Sequence, residues 1–221
     1  GYAACEEIRS ALVDFKTSGK FIYAYSEVYS QKAYYLASVA DKIFINPEGS
    51  LMFTGISSST PYFSKALDKL GVEVQVIRHG KFKAAVEPYI LDKMSPENKE
   101  QIETYIGSIW NNVLGEIATS RNTTVSALNS IADENMYFRH ARKLISNNLV
   151  DSLVYEDQVL DFLKSKAGIE SKKDIPFVTV SELKNVPAKR ESKGLAKNKI
   201  AVIYAAGEID MESSSSLSEE G

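Results

Sequence analysis

Phe21-Ile22-Tyr23-Ala24-Tyr25, the polar-to-apolar run Ser26 to Ala40, and Ile43-Phe44-Ile45 form the stretch that decides the fold. Residues 21–25 are an apolar run of strand length, which predicts a buried strand. Ser26 to Lys32 is polar, and the following Tyr34, Tyr35, Leu36 and Val39 are available for burial, so a loop feeds a helix over 33–40. Asp41-Lys42 turns the chain into the second apolar run, which Asn46-Pro47-Glu48-Gly49 closes. Leu51-Met52-Phe53 is a candidate third strand. Strand, helix and strand in that order predict an α/β core with a parallel or mixed sheet.

Outward from this stretch the same alternation continues. Ala4, Ile8, Leu12, Val13 and Phe15 predict an amphipathic helix over 3–17, ended by Gly19. After a Gly/Ser/Thr loop at 55–60, Pro61 is placed to start a helix with Tyr62, Phe63, Ala66, Leu67 and Leu70 on one face. Val72, Val74 and Val76 alternate with Glu73 and Gln75, the pattern of a strand with one wet side. Ser95-Pro96-Glu97 is a cap, a first-turn proline and an acid at the positive end, so a long helix is expected over 95–120. Its stripe of Ile102, Tyr105, Ile106, Ile109, Val113 and Ile117 predicts burial against the domain body or a partner subunit. Shorter helices follow after Thr124, at 140–145, and from Tyr155 to Lys166, the last capped by Gly168. Residues 170–198 read as a connector with strand-like bits such as Phe177-Val178-Thr179-Val180, and Lys199 to Ile209 as a fresh buried strand.

Composition sets the class. The chain has 221 residues, 44% hydrophobic and 25% charged, ordinary for a folded α/β protein. A net charge of −3 gives no reason to expect a nucleic-acid partner. Its apolar runs are strand-sized, far short of a membrane span. One cysteine excludes an internal disulfide framework and a thiolate zinc site. The two histidines, His79 and His140, lie far apart without metal-ligand spacing, so neither a metal nor another cofactor is expected. The polar start at Gly1 and the Ser/Glu-rich end at Ser213 to Gly221 suggest a piece of something longer.

One segment carries chemistry: Arg78-His79-Gly80-Lys81-Phe82-Lys83-Ala84-Ala85-Val86-Glu87-Pro88. Lys83 has the most apolar sequence neighbours of any lysine in the chain. A lysine held among apolar groups has its ammonium disfavoured and can act as a neutral base. The competing reading is a lysine with its stem on apolar surface and its head in water. Lys81 stands two residues away. Glu87, four residues on, is a candidate orienting or structural residue, although Pro88 restricts it against the helical region.

Phe82-Lys83-Ala84-Ala85-Val86-Glu87-Pro88, with Asp92-Lys93-Met94-Ser95-Pro96 after it, resembles the lysine motif of the long, tandem-repeat form of signal peptide peptidase, or protease IV. Leu149-Val150-Asp151 resembles a further element of the same family in the same order. The resemblance extends over nearly the whole chain. It implies a ClpP/crotonase-type α/β fold, with residues 1–169 as most of the first repeat, 170–198 as connector and 199–221 as the start of the second. It also implies Lys83 as the general base of a Ser/Lys dyad. Ser30 stands where the family's catalytic repeat has an Ala-Ser-Gly-Gly-Tyr type sequence, but Tyr29-Ser30-Gln31-Lys32 lacks both glycines, so Ser30 is expected to cap a helix. The Ser57-Ser58-Ser59 and Ser213–Ser216 runs are loop composition. The nucleophile is therefore expected in the second repeat, beyond Gly221, leaving this chain inactive alone.

Two main functions follow. One is a fragment of a serine endopeptidase that degrades cleaved, apolar signal peptides, in a homo-oligomer at a bacterial membrane with its catalytic part extracytoplasmic. The other is a non-catalytic assembly module of the same fold. A crotonase-type acyl-thioester enzyme is a third reading, and the local residues lack the glycines its oxyanion site needs. A buried, partnerless Lys83 facing a cleft favours the enzyme; a solvated or carboxylate-paired one favours the module.

Overall fold

A computed structural model describes residues 1–170, 172–183 and 186. The chain divides into two units, Gly1–Ile175 and Pro176–Gly221. The first opens with helix α1 (Tyr2–Thr17), followed by strand β1 (Tyr23–Tyr29), helix α2 (Gln31–Ala37) and strand β2 (Lys42–Leu51). Short helices α3 (Ser64–Lys69) and α4 (Glu87–Ile90) precede the long helix α5 (Pro96–Arg121). Helices α6 (Val125–Asp133) and α7 (Arg142–Ser146), strand β3 (Ser152–Leu153) and helix α8 (Glu156–Ala167) complete the unit. The described part of the second unit holds one short helix, α9 (Val180–Leu183).

The sheet has three strands in the order β1-β2-β3, all parallel. Parallel neighbours need a crossover, and α2 supplies it between β1 and β2. Successive residues of β2 point to opposite faces. Ile43 and Ile45 enter the main core with Tyr34, Tyr35, Leu51, Phe53, Leu114 and Ile117. Phe44 enters the other face, where it meets Val154 and Val159. Phe44 also stacks on Phe162 of α8, ring centroids 5.5 Å apart. Each fully buried aliphatic side chain in these layers contributes about 1.5–3 kcal/mol.

The caps explain where the helices start. Ser30 Oγ accepts the Ala33 amide at 3.2 Å, Ser95 Oγ that of Asn98 at 3.1 Å, and Thr124 Oγ1 that of Ala127 at 3.1 Å. Asn122, with φ of 50°, ends α5 in the left-handed conformation, and Gly168 does the same for α8. The apolar stripe of α5 divides along its length. Val113, Leu114, Ile117 and Ala118 are buried, while Ile102, Ile106 and Ile109 are only half-buried and Tyr105 is 67% exposed.

Buried polar side chains tie the elements together. Arg9 of α1 is 2% exposed and donates to Tyr35 O and Ser38 Oγ at 2.8 Å, and to Glu116 O at 3.0 Å. Arg121 ends α5 on the sheet, 3.1 Å from Asp151 Oδ2, and Asp151 accepts the Ile43 amide at 2.7 Å.

Several expectations are corrected. Residues 72–77 form no strand: Val74 and Val76 are half-buried and Ile77 fully exposed, and no neighbouring backbone among the described residues provides a ladder. Met52 and Phe53 form no third strand; β2 itself runs on to Leu51, past the turn residues 46–49. It does so by an irregularity in which Ser26 pairs Ile45 but Val28 pairs Ser50. The helix expected from Pro61 starts only at Ser64, and the Phe63 amide before it donates to Pro88 O at 2.6 Å. Thr179 and Glu182 satisfy each other's amides, which makes Val180 the start of a helical turn and not part of a strand. The strand expected at 199–209 lies outside the described residues.

The irregularity in β2 depends on Gly49, where a Cβ would stand 2.4 Å from the backbone oxygen of Glu27. Gly49→Ala is expected to lower stability by about 1–3 kcal/mol through overpacking. Thermal unfolding checks this, and an unchanged melting temperature would count against the close approach.

Candidate functional site

The chain beyond Val72 runs without regular structure to Gly80, whose φ of 110° suits glycine. The turn brings Lys83 back, its Cγ 3.6 Å from the position a Gly80 Cβ would take. The Lys83 side chain is exposed, and among the described residues no hydrogen bond or ion pair reaches its ammonium. Its apolar company is sequential and not spatial. Phe82 is 49% exposed, Ala85 exposed, and Ala84 and Val86 half-buried, because side chains diverge around a turn. The enclosure that its sequence neighbours suggest is therefore not found among the described residues. An open groove of about 390 Å³ lies beside the segment, lined by Phe82, Glu100, Gln101, Thr104 and Tyr105. Lys83 does not line it.

The backbone of the segment is held firmly. Arg78 Nη1 donates to Lys83 O at 3.2 Å and stands 3.8 Å from Glu87 Oε1. Glu87 is 3% exposed. Its carboxylate accepts from Ser95 Oγ at 2.5 Å, from the Ser95 amide at 3.3 Å and from Asn98 Nδ2 at 3.0 Å. Burial works against the ionised form, but the Ser95 and Asn98 donors and the Arg78 guanidinium outweigh it, so the carboxyl sits below its ordinary value. Ser95 meanwhile caps α5, so one residue joins the carboxylate to the helix start. Glu87 itself begins α4, contrary to the restriction expected from Pro88: proline fits a first turn, where its absent N–H would have no partner.

Of the serines singled out in the sequence, Ser30 and Ser57–Ser59 are described and Ser213–Ser216 lie outside the described residues. Ser30 is spent on the α2 cap. Beside it, Gln31 Oε1 accepts the Thr54 and Gly55 amides, both at 3.0 Å, and Gln31 Nε2 donates to Gly55 O at 3.0 Å. The Thr54 and Gly55 amides are thus occupied by a side chain of the same chain. Ser57, Ser58 and Ser59 are exposed loop residues. His79 is exposed, and His140 is exposed with Nδ1 accepting the Arg142 amide at 3.2 Å. Among the described residues no cluster could hold a metal ion.

Sequence reading located Lys83 and flagged Glu87, but missed Arg78 and Asn98 as its partners. The spacing of Glu87 to the Ser95 cap and Asn98 is a usable signal: a carboxylate shortly before a capped helix start has donors within reach.

Comparison with known proteins relates the sequence of this chain to proteases. The family model described as "Peptidase family S49" matches residues 14–170. The chain is 29% identical over 211 residues to "Serine protease SPPA, chloroplastic" of Arabidopsis thaliana, covering 95% of this chain and 31% of that protein. It is 41% identical over 119 residues to "Protease 4" of Haemophilus influenzae, covering 54% and 19% respectively. Against "Protease 4" of Salmonella typhi it is 34% identical over 172 residues, covering 73% and 27%. The chain spans less than a third of the length of each of these relatives.

The Glu87 carboxyl gives a pH signature. Its value is below the ordinary 4.5, so the unfolded chain takes up the proton first as pH falls. The stabilisation is fully present above about 4.5 and is lost as pH drops through the lower, folded value. Wild type is expected to exceed Glu87→Gln by about 1.5–3 kcal/mol at neutral pH, the range for hydrogen bonds to a charged group. Denaturant unfolding at several pH values should show that gap closing in acid; a gap independent of pH would contradict the assignment.

Proposed function

The chain belongs to peptidase family S49, and on that premise we propose that it carries the general base, Lys83, of a Ser/Lys endopeptidase whose nucleophilic serine comes from the second repeat. Membership brings the ClpP/crotonase-like α/β class, and the parallel sheet of β1, β2 and β3 with its surrounding helices agrees with it. The observation that carries the proposal is that the Lys83 ammonium has no carboxylate partner among the described residues, while its carbonyl is held by Arg78 beside the buried Glu87 network.

A base must be positioned, reachable and free of a competing anion. Lysine does this work near neutral pH only when kept from water. The proposal therefore requires the second repeat, from the same or a neighbouring subunit, to cover Lys83 while presenting its serine. Neutral Lys83 Nζ then takes the serine proton, the serine oxygen attacks the peptide carbonyl carbon, and the lysinium returns the proton to the departing amine nitrogen. The oxyanion donors come from the repeat that holds the serine; here Gln31 occupies the Thr54 and Gly55 amides. No metal or cofactor is invoked. Apolar signal peptides as substrates, homo-oligomeric assembly and an extracytoplasmic place at a bacterial membrane belong to the same proposal. Among the described residues no helix is long and apolar enough to cross a membrane.

A second reading is an assembly module without a catalytic part. The exposure of Lys83 in this chain and the use of Ser30 as a cap favour it. The two separate on one substitution. In the whole protein, Lys83→Ala is expected to lower peptide hydrolysis by at least about 10²–10⁴-fold, the usual worth of a general base. Size and melting temperature should stay at wild-type values. Wild-type turnover by Lys83→Ala would leave the assembly module as the function of this chain.

A further inference from the structure

We propose that Arg78 and Glu87 form a positioning pair that sets where Lys83 stands, a role that rests on Lys83 being the base. Gly80 makes the segment from Arg78 to Glu87 turn back on itself, and Arg78 closes the turn from within. Its Nη1 donates to Lys83 O at 3.2 Å while standing 3.8 Å from Glu87 Oε1. Glu87 in turn is locked at 3% exposure by three donors from Ser95 and Asn98 at the start of α5. The backbone of Lys83 is therefore referenced, through one guanidinium and one carboxylate, to a helix of 26 residues. Among the described residues no other hydrogen bond or ion pair is seen at the tip from His79 to Lys83; Lys81 lies over the Phe82 ring, and Phe82 lines the groove beside α5.

Arg78 does this work through a single nitrogen, Nη1, which donates to the Lys83 carbonyl and lies within ion-pair distance of the Glu87 carboxylate. Its side chain is 41% exposed, so replacing it leaves no cavity in the core. That makes Arg78 the cleaner probe, with Glu87 as the second.

The test compares the whole protein as wild type, Arg78→Gln, Arg78→Lys, Glu87→Gln, the double variant and Lys83→Ala, each for kcat, KM and melting temperature on one peptide substrate. A misplacement of about 1 Å costs about 10²-fold in rate, so Arg78→Gln is expected to lose kcat on that scale, with KM and melting temperature unchanged. Arg78→Lys should recover part of the loss, and Glu87→Gln added to Arg78→Gln should lower kcat little further. If Lys83→Ala is inactive but Arg78→Gln keeps wild-type kcat, the positioning role is overturned and the base assignment stands. A fall in kcat matched by a fall in melting temperature, with no recovery by Arg78→Lys, assigns Arg78 to stability alone and also overturns it. If Lys83→Ala keeps full activity, the base lies elsewhere and both readings fall. Should Glu87→Gln fail to fold, the Arg78 pair of variants decides the outcome.

Discussion

A carboxylate removed from water must find donors, and the Glu87 carboxylate finds nearly all of its donors at one place, the first turn of α5. That requirement organises the chemistry-bearing part of the chain. The segment from Val72 to Val86 has no strand or helix of its own to fix it. It gains order from its ends, where Glu87 is sealed against α5 and α3 leans on α4 through the Phe63 amide and Pro88 O. A buried carboxylate of this kind is weak support for overall stability, since desolvation offsets much of what its donors contribute. What it does supply is a unique arrangement: few other placements of Glu87 satisfy three donors at once.

The opposite end of α5 answers to a second buried charge. Arg121 meets Asp151 at 3.1 Å, and Asp151 accepts the amide of Ile43 in β2. The Ile43 carbonyl accepts the Asp151 amide in return. One helix, about 39 Å long at 1.5 Å per residue, is thus anchored to the sheet at its C-terminal end and to the Lys83 segment at its N-terminal end. The burial gradient along α5 matches these duties. Its last turns sit in the core with Leu114 and Ile117, whereas its first turns carry half-buried isoleucines and the exposed Tyr105.

The sequence was most legible where local chemistry and packing point the same way. Ser95-Pro96-Glu97 marked the start of α5 within a residue, and Ile43-Phe44-Ile45 marked the centre of the sheet, because capping and apolar alternation are local signals. It was least legible where a distant partner decides. Val72 to Ile77 has the alternation of a strand, but alternation reports only side-chain sidedness; a strand also needs a neighbour to complete its ladder. The burial of Arg9 inside an amphipathic helix was invisible for the same reason, since its acceptors Tyr35 O, Ser38 Oγ and Glu116 O come from α2, its C-cap and α5. Lys83 shows the limit in the other direction. Its apolar sequence neighbours suggested enclosure, while a turn built on Gly80 spreads them apart.

The contrast between Lys83 and Ser30 bears on the proposed division of a Ser/Lys pair between two repeats. The Ser30 hydroxyl is engaged as the α2 cap, and the neighbouring amides of Thr54 and Gly55 are already bound by a side chain, that of Gln31. At Lys83 the carbonyl has a partner but the ammonium has none, among the described residues. A side chain with a fixed root and an unpaired head costs little to keep exposed, and it can meet a surface supplied from elsewhere without first breaking a contact. On the proposed reading this asymmetry is what divides the labour: the site around Ser30 is closed by its own side chains, while the base is left open for the repeat that brings the serine.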